Sequence, residues 1–198
     1  MKTFELEFSY LGDRDYLDVT SILDSFWQAL GPNTRTAVRN MDFRIHAPFN
    51  ENCTLYYQEN SVPSYKNDPC AKFTWLIEGK KYFGFLVPNG QKIVKRSPEP
   101  KWDFEQHCEF RDGKMYLTKN FNQDVCYSLT KTGKFLISKY RDPAVKVVRF
   151  KFNELMLPEE LVGTSLRMQE MSGTEFIKVI CEKNDKEFGF IVVTTKTE

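Results

Sequence analysis

An internal repeat is the feature of this sequence that most constrains its fold. KKYFGFLV at 80–87 matches DKEFGFIV at 185–192, with an offset of 105 residues. AVRNMDFRI at 37–45 matches AVKVVRFKF at 144–152, with an offset of 107 residues. Because both pairs keep their order along the chain, the sequence predicts a duplicated unit of roughly 100 residues. Chance likeness between two hairpins is the alternative, since Phe-Gly-Phe is not rare in strands.

A basic stretch with prolines lies between the two copies. It contains Lys92, Lys95, Arg96, Pro98, Pro100 and Lys101. We interpret residues 95–103 as a solvated linker and predict domains at 1–96 and 97–198. The same positive charge would also suit the docking of an acidic carrier protein or a coenzyme A phosphate.

Strand patterns dominate both copies. Residues 38–45 place Met41, Phe43 and Ile45 on one face, and residues 71–87 form a predicted hairpin that turns at Glu78-Gly79. Further strands are predicted at 4–8, 53–58, 145–152, 164–171, 175–181 and 187–193. Further turns are predicted at Asn89-Gly90, Asp112-Gly113 and Ser172-Gly173.

The clearest helix is predicted at 20–30. Ser21 with Asp24 resembles a capping box, and Gly31-Pro32 ends the segment. One apolar stripe runs along it, formed by Ile22, Leu23, Phe26, Trp27 and Leu30. A single further helical turn is predicted at 157–162.

Residues 124–140 fit two structures. Their apolar spacing is helical, with Asp124 as N-cap, but the same residues could form a hairpin around Thr132-Gly133. Gly133 costs a helix about 1 kcal/mol relative to alanine, so local propensity does not decide. Moving the helix at 20–30 forward by 107 residues lands on 127–137, and the repeat therefore favours a helix.

Each copy thus combines one long helix with several antiparallel strands that could wrap it, an α+β plan. It resembles the hot-dog fold of thioesterases and acyl-carrier-protein dehydratases. FRIHAPFNENCTLYY at 43–57 is similar to the strand–Pro–turn–strand passage of that family, and FNELMLPEELVGTSLRM at 152–168 is a looser copy. LTKTGKFLI at 129–137 resembles the central helix of the dehydratases, and GDRDYLDVTSILDSF at 12–26 the aspartate-bearing entry to the helix in the thioesterases. The resemblance implies two hot-dog-like units in one chain.

The resemblance also implies a chemistry. Such proteins act on an acyl thioester carried by acyl carrier protein or coenzyme A. We expect no cofactor and no metal. A dehydratase needs a base and an acid, which the family supplies as the histidine of a His-Phe-Pro loop and a carboxylate on a helix. A thioesterase of this fold needs a carboxylate and a helix N-terminus that polarises the thioester carbonyl.

Neither signature is intact in this sequence. No His-Phe-Pro occurs, and Tyr127 stands where the resemblance implies an acid, so the second unit looks catalytically degenerate. The first unit keeps acids, and the resemblance makes Asp18 or Asp24 with His46 the candidate catalytic pair. Capping would also explain Asp24, and a half-exposed strand position would explain His46. His107 is the other histidine and a weaker candidate.

Charge, targeting and cysteine content exclude other classes. Lys plus Arg is 28 and Asp plus Glu is 27, so the basic excess of a nucleic-acid binder is missing. No secretory signal and no apolar run long enough to span a membrane is seen. The five cysteines form no CxxC pattern and are expected to be reduced and buried, which fits a cytoplasmic protein.

Three functional hypotheses remain open. The first is a dehydratase or thioesterase of fatty-acid or polyketide-type metabolism, and the second is a non-catalytic binding or assembly subunit of the same fold. The third is a lipocalin-like barrel that binds a small apolar ligand. Aromatic residues on both faces of the hairpin at 71–87 also suggest a covering ligand or partner, for which a homo-oligomer is one arrangement.

Overall fold

The computed structural model describes residues 1–31, 34, 37–64, 68–121, 123–140, 145–154, 156–171 and 175–194. They form two compact units, Met1–Pro100 and Lys101–Glu198. The division falls inside the proline-containing stretch at 95–103. Each unit has an antiparallel sheet and one long helix, so the predicted α+β class is confirmed.

Unit 1 contains a five-stranded antiparallel sheet in the order β1-β4-β6-β5-β3. A small parallel pair, β2 with β7, lies beside it. The elements are β1 (Lys2–Leu6), β2 (Ser9–Leu11), α1 (Val19–Leu30), β3 (Val38–Ile45), β4 (Glu51–Glu59), β5 (Ala71–Ile77), β6 (Lys80–Lys92) and β7 (Lys95–Ser97). The predicted strands and the hairpin turn at Glu78-Gly79 are confirmed, whereas the parallel pair was not predicted.

The apolar stripe of α1 packs against one face of this sheet, as predicted. Phe26 stacks on Phe73 with ring centroids 4.2 Å apart, and it meets Trp75 edge-on at 5.2 Å. Phe43 stacks on the same Phe73 ring at 4.4 Å. All four rings are at most 1% exposed. Aromatic side chains therefore fill the space between the helix and the sheet.

Lysine side chains cover aromatic rings on the other face of the hairpin. The ammonium of Lys81 lies 4.8 Å from the ring centroid of Phe83, and that of Lys72 lies 5.7 Å from that of Phe85. Phe85 is only 5% exposed. Long lysine stems can shield apolar surface while their charged ends stay in water. The lysine side chains of the hairpin therefore shield much of the apolar surface on this face.

Unit 2 contains a six-stranded antiparallel sheet in the order β10-β13-β12-β11-β9-β8. Its elements are α2 (Phe104–His107), β8 (Cys108–Arg111), β9 (Lys114–Leu117), α3 (Val125–Ser138), β10 (Lys146–Glu154), a 3₁₀ helix (Pro158–Leu161), β11 (Thr164–Glu170), β12 (Phe176–Lys183) and β13 (Lys186–Thr194). The helical turn predicted at 157–162 is confirmed.

The ambiguous segment at 124–140 is helical. Asp124 caps α3 by accepting the backbone N–H groups of Cys126 and Tyr127 at 2.7 and 3.1 Å. An added Cβ at Gly133 would make an ordinary contact with Val179 at 3.5 Å, so this side of the helix lies against the sheet. Burial of α3 against the sheet offsets the propensity cost of the glycine. The hairpin alternative and the lipocalin-like barrel are therefore wrong.

Three smaller predictions need comment. Asn89-Gly90 makes no chain reversal, because both residues belong to the long strand β6. The sequence around His107 has a strand-like composition, yet His107 is the last residue of the short helix α2. The turn predicted at Ser172-Gly173 lies outside the described residues.

Candidate functional site

Asp18 is the N-cap of α1 and is almost fully buried, with 3% exposure. Its Oδ1 accepts the backbone N–H of Thr20 at 3.1 Å and the Thr20 hydroxyl at 2.7 Å. Its Oδ2 accepts Arg14 Nη1 at 2.6 Å. The capping box predicted at Ser21 and Asp24 is wrong, because the helix begins three residues earlier than that box requires.

Arg14 connects this cap to the end of the unit. Its second guanidinium nitrogen forms an ion pair with Glu99. Arg96 Nη1 donates to the backbone oxygens of Gly12 and Arg14 at 2.9 and 2.8 Å, and its guanidinium lies 5.1 Å from the centroid of the Tyr10 ring. Arginine from the basic stretch therefore holds the entry to α1 in place.

Asp24 lies on α1, six residues after the cap, and its side chain is exposed. Since Asp18 caps the helix, capping does not explain why an aspartate stands at position 24. A carboxylate is a group that can receive a proton from water.

His46 follows the last residue of β3 and is exposed. Its backbone N–H donates to the carbonyl of Cys70 at 2.8 Å. Partial desolvation of the ring, followed by the positive charges of Lys72 and Arg44, holds the pKa of His46 below its ordinary value. The imidazole is therefore mainly neutral at pH 7, the form that accepts a proton.

The structure does not join His46 to either candidate aspartate. Across the described ranges, the His46 ring forms no hydrogen bond and no ion pair. The charged groups acting on its pKa are cations, not carboxylates. The catalytic roles of Asp18, Asp24 and His46 therefore stay predictions, and Asp18 is the most heavily engaged of the three in holding the helix.

The first turn of α1 is largely occupied by the aspartate cap. Asp18 accepts the N–H of Thr20 through its side chain and the N–H of Ser21 through its backbone oxygen at 3.0 Å. In α3, the Asp124 side chain accepts the backbone N–H groups at the same two positions, those of Cys126 and Tyr127. Amides of this kind polarise a thioester carbonyl only when they are available to it.

Unit 2 carries a second group of polar and aromatic side chains on α3. Tyr127, Lys131 and Phe135 form one helical stripe, and the first two are 5% and 8% exposed. Trp102 Nε1 donates to the Tyr127 oxygen at 3.3 Å, and the Lys131 ammonium lies 5.3 Å from the centroid of the Tyr127 ring. Phe104 stacks on Phe135 with centroids 4.5 Å apart. The segment around α2 therefore covers this stripe.

His107 lies in the same aromatic group. It stacks on Phe121 with centroids 4.8 Å apart, and its Nδ1 lies 2.7 Å from the carbonyl oxygen of Asp103. Such a contact is formed by an Nδ1–H donor, which leaves Nε2 as the acceptor. The sequence made His107 only a weaker candidate. No local sequence pattern indicates that it stacks on Phe121.

In the part of the chain that the structure describes, no three histidine, cysteine or acidic side chains gather as metal ligands. Among the helices formed by those residues, none is both long enough and apolar enough to cross a membrane.

Taken together, these elements define an α+β protein of two hot-dog-like units, each with an antiparallel sheet and one long helix that an aspartate caps. The chain is similar to the 12:0-ACP thioesterase from Umbellularia californica, with 9% identity, 98% of this chain and 95% of that chain covered, and a TM-score of 0.47. It is also similar to an acyl-ACP thioesterase from Bacteroides thetaiotaomicron, with 11% identity, coverage of 98% and 96%, and a TM-score of 0.46.

A third similar structure is a protein of unknown function with a hot dog fold from Alicyclobacillus acidocaldarius. It shares 12% identity over 99% of this chain and 93% of that chain, with a TM-score of 0.40. No protein-family model matches the sequence, and no curated protein matches it.

Proposed function

We propose that this protein binds acyl thioesters carried by acyl carrier protein or coenzyme A and hydrolyses them. The observation that carries the proposal is Asp24, a carboxylate on the exposed side of the central helix that capping does not account for. Asp24 would take one proton of the water that attacks the thioester carbonyl and return it to the leaving thiolate as the C–S bond breaks. His46 would accept the proton that the carboxylic acid product releases, and Asp18 would position the helix.

Hydrolysis is favoured over dehydration by the surroundings of His46. Elimination of water from a 3-hydroxyacyl thioester needs a base and an acid that act together on neighbouring carbons. Among the described residues, His46 forms no hydrogen bond or ion pair with a carboxylate, and Tyr127 replaces the acid in unit 2. Hydrolysis needs one carboxylate and a water molecule, so the groups present suit it better.

A non-catalytic acyl-thioester-binding subunit is the second candidate. The observation that favours it is the occupation of both helix N-termini by Asp18 and Asp124. A thioester carbonyl would then lack the amide donors that stabilise negative charge on its oxygen.

A thioester panel tests both candidates. Saturated acyl and 3-hydroxyacyl thioesters of both carriers are incubated with the protein, while free thiol and enoyl absorbance are followed separately. We expect thiol release that is lost in Asp24→Asn and reduced in His46→Gln. Asp13→Asn, at an exposed turn position, is the matched control and should retain it.

The outcomes separate the candidates. Enoyl formation without thiol release would overturn hydrolysis in favour of dehydration. If neither free thiol nor enoyl absorbance appears, the enzyme assignment is overturned. Calorimetry with a non-hydrolysable thioether analogue of the acyl thioester would then decide the second candidate, and failure to bind would overturn it as well.

A further inference from the structure

Unit 1 contains two thiols in contact that the proposed reaction does not use. Cys53 Sγ and Cys70 Sγ are 3.8 Å apart. Cys53 lies on β4 and Cys70 immediately precedes β5, and the two residues are 0% and 4% exposed. Their separation of 17 positions gives no sequence signal of a pair, so only the sheet brings them together.

The two thiols are not equivalent. The pKa of Cys53 is raised by its hydrogen bond with Cys70, then by burial, and then by the charge of Cys70 and nearby carboxylates. Cys53 therefore keeps its proton, and either thiol can donate to the other. Cys70 is 4% exposed and Cys53 is 0% exposed, so Cys70 is the member of the pair that peroxide reaches first.

We propose that Cys53 and Cys70 form an oxidation site at which hydrogen peroxide converts the two thiols into an intramolecular disulfide. The Cys70 sulfur attacks one peroxide oxygen, the O–O bond breaks, and sulfenic acid and one water form. The Cys53 sulfur then attacks the Cys70 sulfur, and the S–O bond breaks. The leaving hydroxide takes the Cys53 proton as a second water. Two electrons pass from the two thiols to one peroxide.

The sheet can yield at the place where this bond would form. A disulfide needs its sulfurs about 2.05 Å apart, and these lie 3.8 Å apart with β6 between their two strands. The bond therefore requires the backbone of β4 or of the segment before β5 to move toward β6. Cys53 lies opposite Pro88, which has no N–H for the strand ladder. The pairing of β4 with β6 also changes register between Glu51 and Cys53. The ladder is thus irregular beside the pair, and irregular positions bend more readily than a continuous ladder.

Oxidation would be transmitted to the end of β3. The carbonyl of Cys70 accepts the backbone N–H groups of His46 and Ala47 at 2.8 and 3.3 Å. Because both amides depend on Cys70, a displacement of Cys70 changes their hydrogen bonds. The thiol pair is therefore a redox-sensitive support for the chain around His46, whatever reaction the protein carries out.

Peptide mapping tests the site. The whole protein is treated with hydrogen peroxide, its remaining thiols are alkylated under denaturing conditions, and a digest without reductant is analysed by mass spectrometry. We expect a linked Cys53–Cys70 peptide, lighter by two hydrogens, and alkylation of only the other three of the five cysteines. Cys53→Ser and Cys70→Ser should each abolish the link, whereas Cys181→Ser, at another buried cysteine, should retain it.

The wild-type protein alone can overturn the proposal. If all five cysteines remain alkylatable after peroxide, or if either member of the pair accumulates as sulfinic acid without a linked peptide, the site is refuted. Hydrogen exchange of the His46 and Ala47 amides tests the second step. Faster exchange after oxidation is expected, and unchanged exchange in a protein that carries the disulfide would refute the connection to His46.

Discussion

Gly189 on β13 packs directly beneath the ring of Phe152 on β10. An added Cβ at Gly189 would lie 2.5 Å from the carbonyl oxygen of Lys151 and closer still to the ring. The equivalent glycine of the first copy, Gly84, leaves more room, since its Cβ would lie 3.0 Å from Trp75. The glycine in each Phe-Gly-Phe repeat therefore leaves room for an aromatic ring of the neighbouring strand to lie over it.

Alanine at these two glycines should have unequal effects. We expect Gly189→Ala to lower the free energy of unfolding by about 3 kcal/mol or more, because it overpacks against backbone as well as a ring. Gly84→Ala should cost about 1–2 kcal/mol, since the Trp75 ring can shift slightly. Urea unfolding measures both. Equal losses would contradict the assigned packing, and so would full rescue of Gly189→Ala by Phe152→Leu, which leaves the Lys151 oxygen in place.

Loss of the α1 cap should destabilise unit 1. Asp18→Ala removes a buried carboxylate that accepts Thr20 and Arg14, so we expect a loss of about 1–3 kcal/mol. Asp13→Ala, at an exposed position of the same loop, is the control and should change stability by less than about 0.5 kcal/mol. Denaturant unfolding gives both numbers, and a neutral Asp18→Ala would show that another group caps the helix.

The protonation of His46 should occur below pH 6.5, its ordinary pKa. Because burial and the nearby cations lower the pKa in the folded state, the unfolded chain binds more protons there between the lowered value and 6.5. Stability contributed by this group is therefore present above that range and falls as the pH is lowered through it. Chemical shifts of the His46 ring measure the folded pKa directly.

Removal of the Lys72 charge tests whether nearby cations lower the pKa of His46. Lys72→Gln should raise the pKa of His46, since one of the repelling cations is gone. Lys80→Gln, at the hairpin turn, is the matched control and should leave the pKa where it was. A His46 pKa that changes with neither substitution would contradict the effect of Lys72 and leave burial and Arg44 as the causes.

Glu182 should be the most acid-sensitive support of unit 2. Its carboxylate accepts Lys114 Nζ at 2.8 Å and Arg167 Nε at 2.7 Å, and the residue is 8% exposed. Burial raises the pKa of Glu182, but the hydrogen bonds from Lys114 and Arg167 outweigh it and lower the pKa overall. The stability it contributes is thus present above the unfolded value near pH ~4.3 and lost as the pH falls through the lower folded value.

Substitution separates this contribution from other acid effects. Glu182→Gln should lower stability at pH 7 by roughly 1–2 kcal/mol and flatten the loss of stability below pH ~4. Glu187→Gln breaks a more exposed pair with Lys178 at 3.7 Å and should cost less than about 0.5 kcal/mol. Urea unfolding at several pH values tests this, and equal effects of the two substitutions would contradict the role of Glu182.

The repeat predicted most of what the helices share. Asp18 and Asp124 cap α1 and α3 at an offset of 106 residues, between the two offsets seen in the sequence. Local propensity alone could not assign the second helix, because Gly133 argues against it. Burial of one face of α3 against the sheet explains why the helix forms in spite of Gly133, and that packing exists only once the sheet is in place.

Residue type alone predicted turns and helix caps less well, because several residues of suitable type lie close together. Asn89-Gly90 has a turn composition, yet it continues β6, and the Gly90 N–H donates to the Glu51 carboxylate at 2.9 Å. Ser21 and Asp18 are both good caps by residue type. Asp18 caps the helix because Arg14 and Thr20 close around its carboxylate.

The sequence by itself determined the elements and their class, because the apolar spacing of a helix or strand depends on neighbours along the chain. Only the tertiary structure decided what meets at a site. It placed Cys53 against Cys70, surrounded His46 with the cations Lys72 and Arg44, and engaged Asp18 in the cap. The contacts of Cys53 with Cys70 and the proximity of Lys72 to His46 depend on strand order and register, which join residues far apart in sequence and leave no local pattern to read.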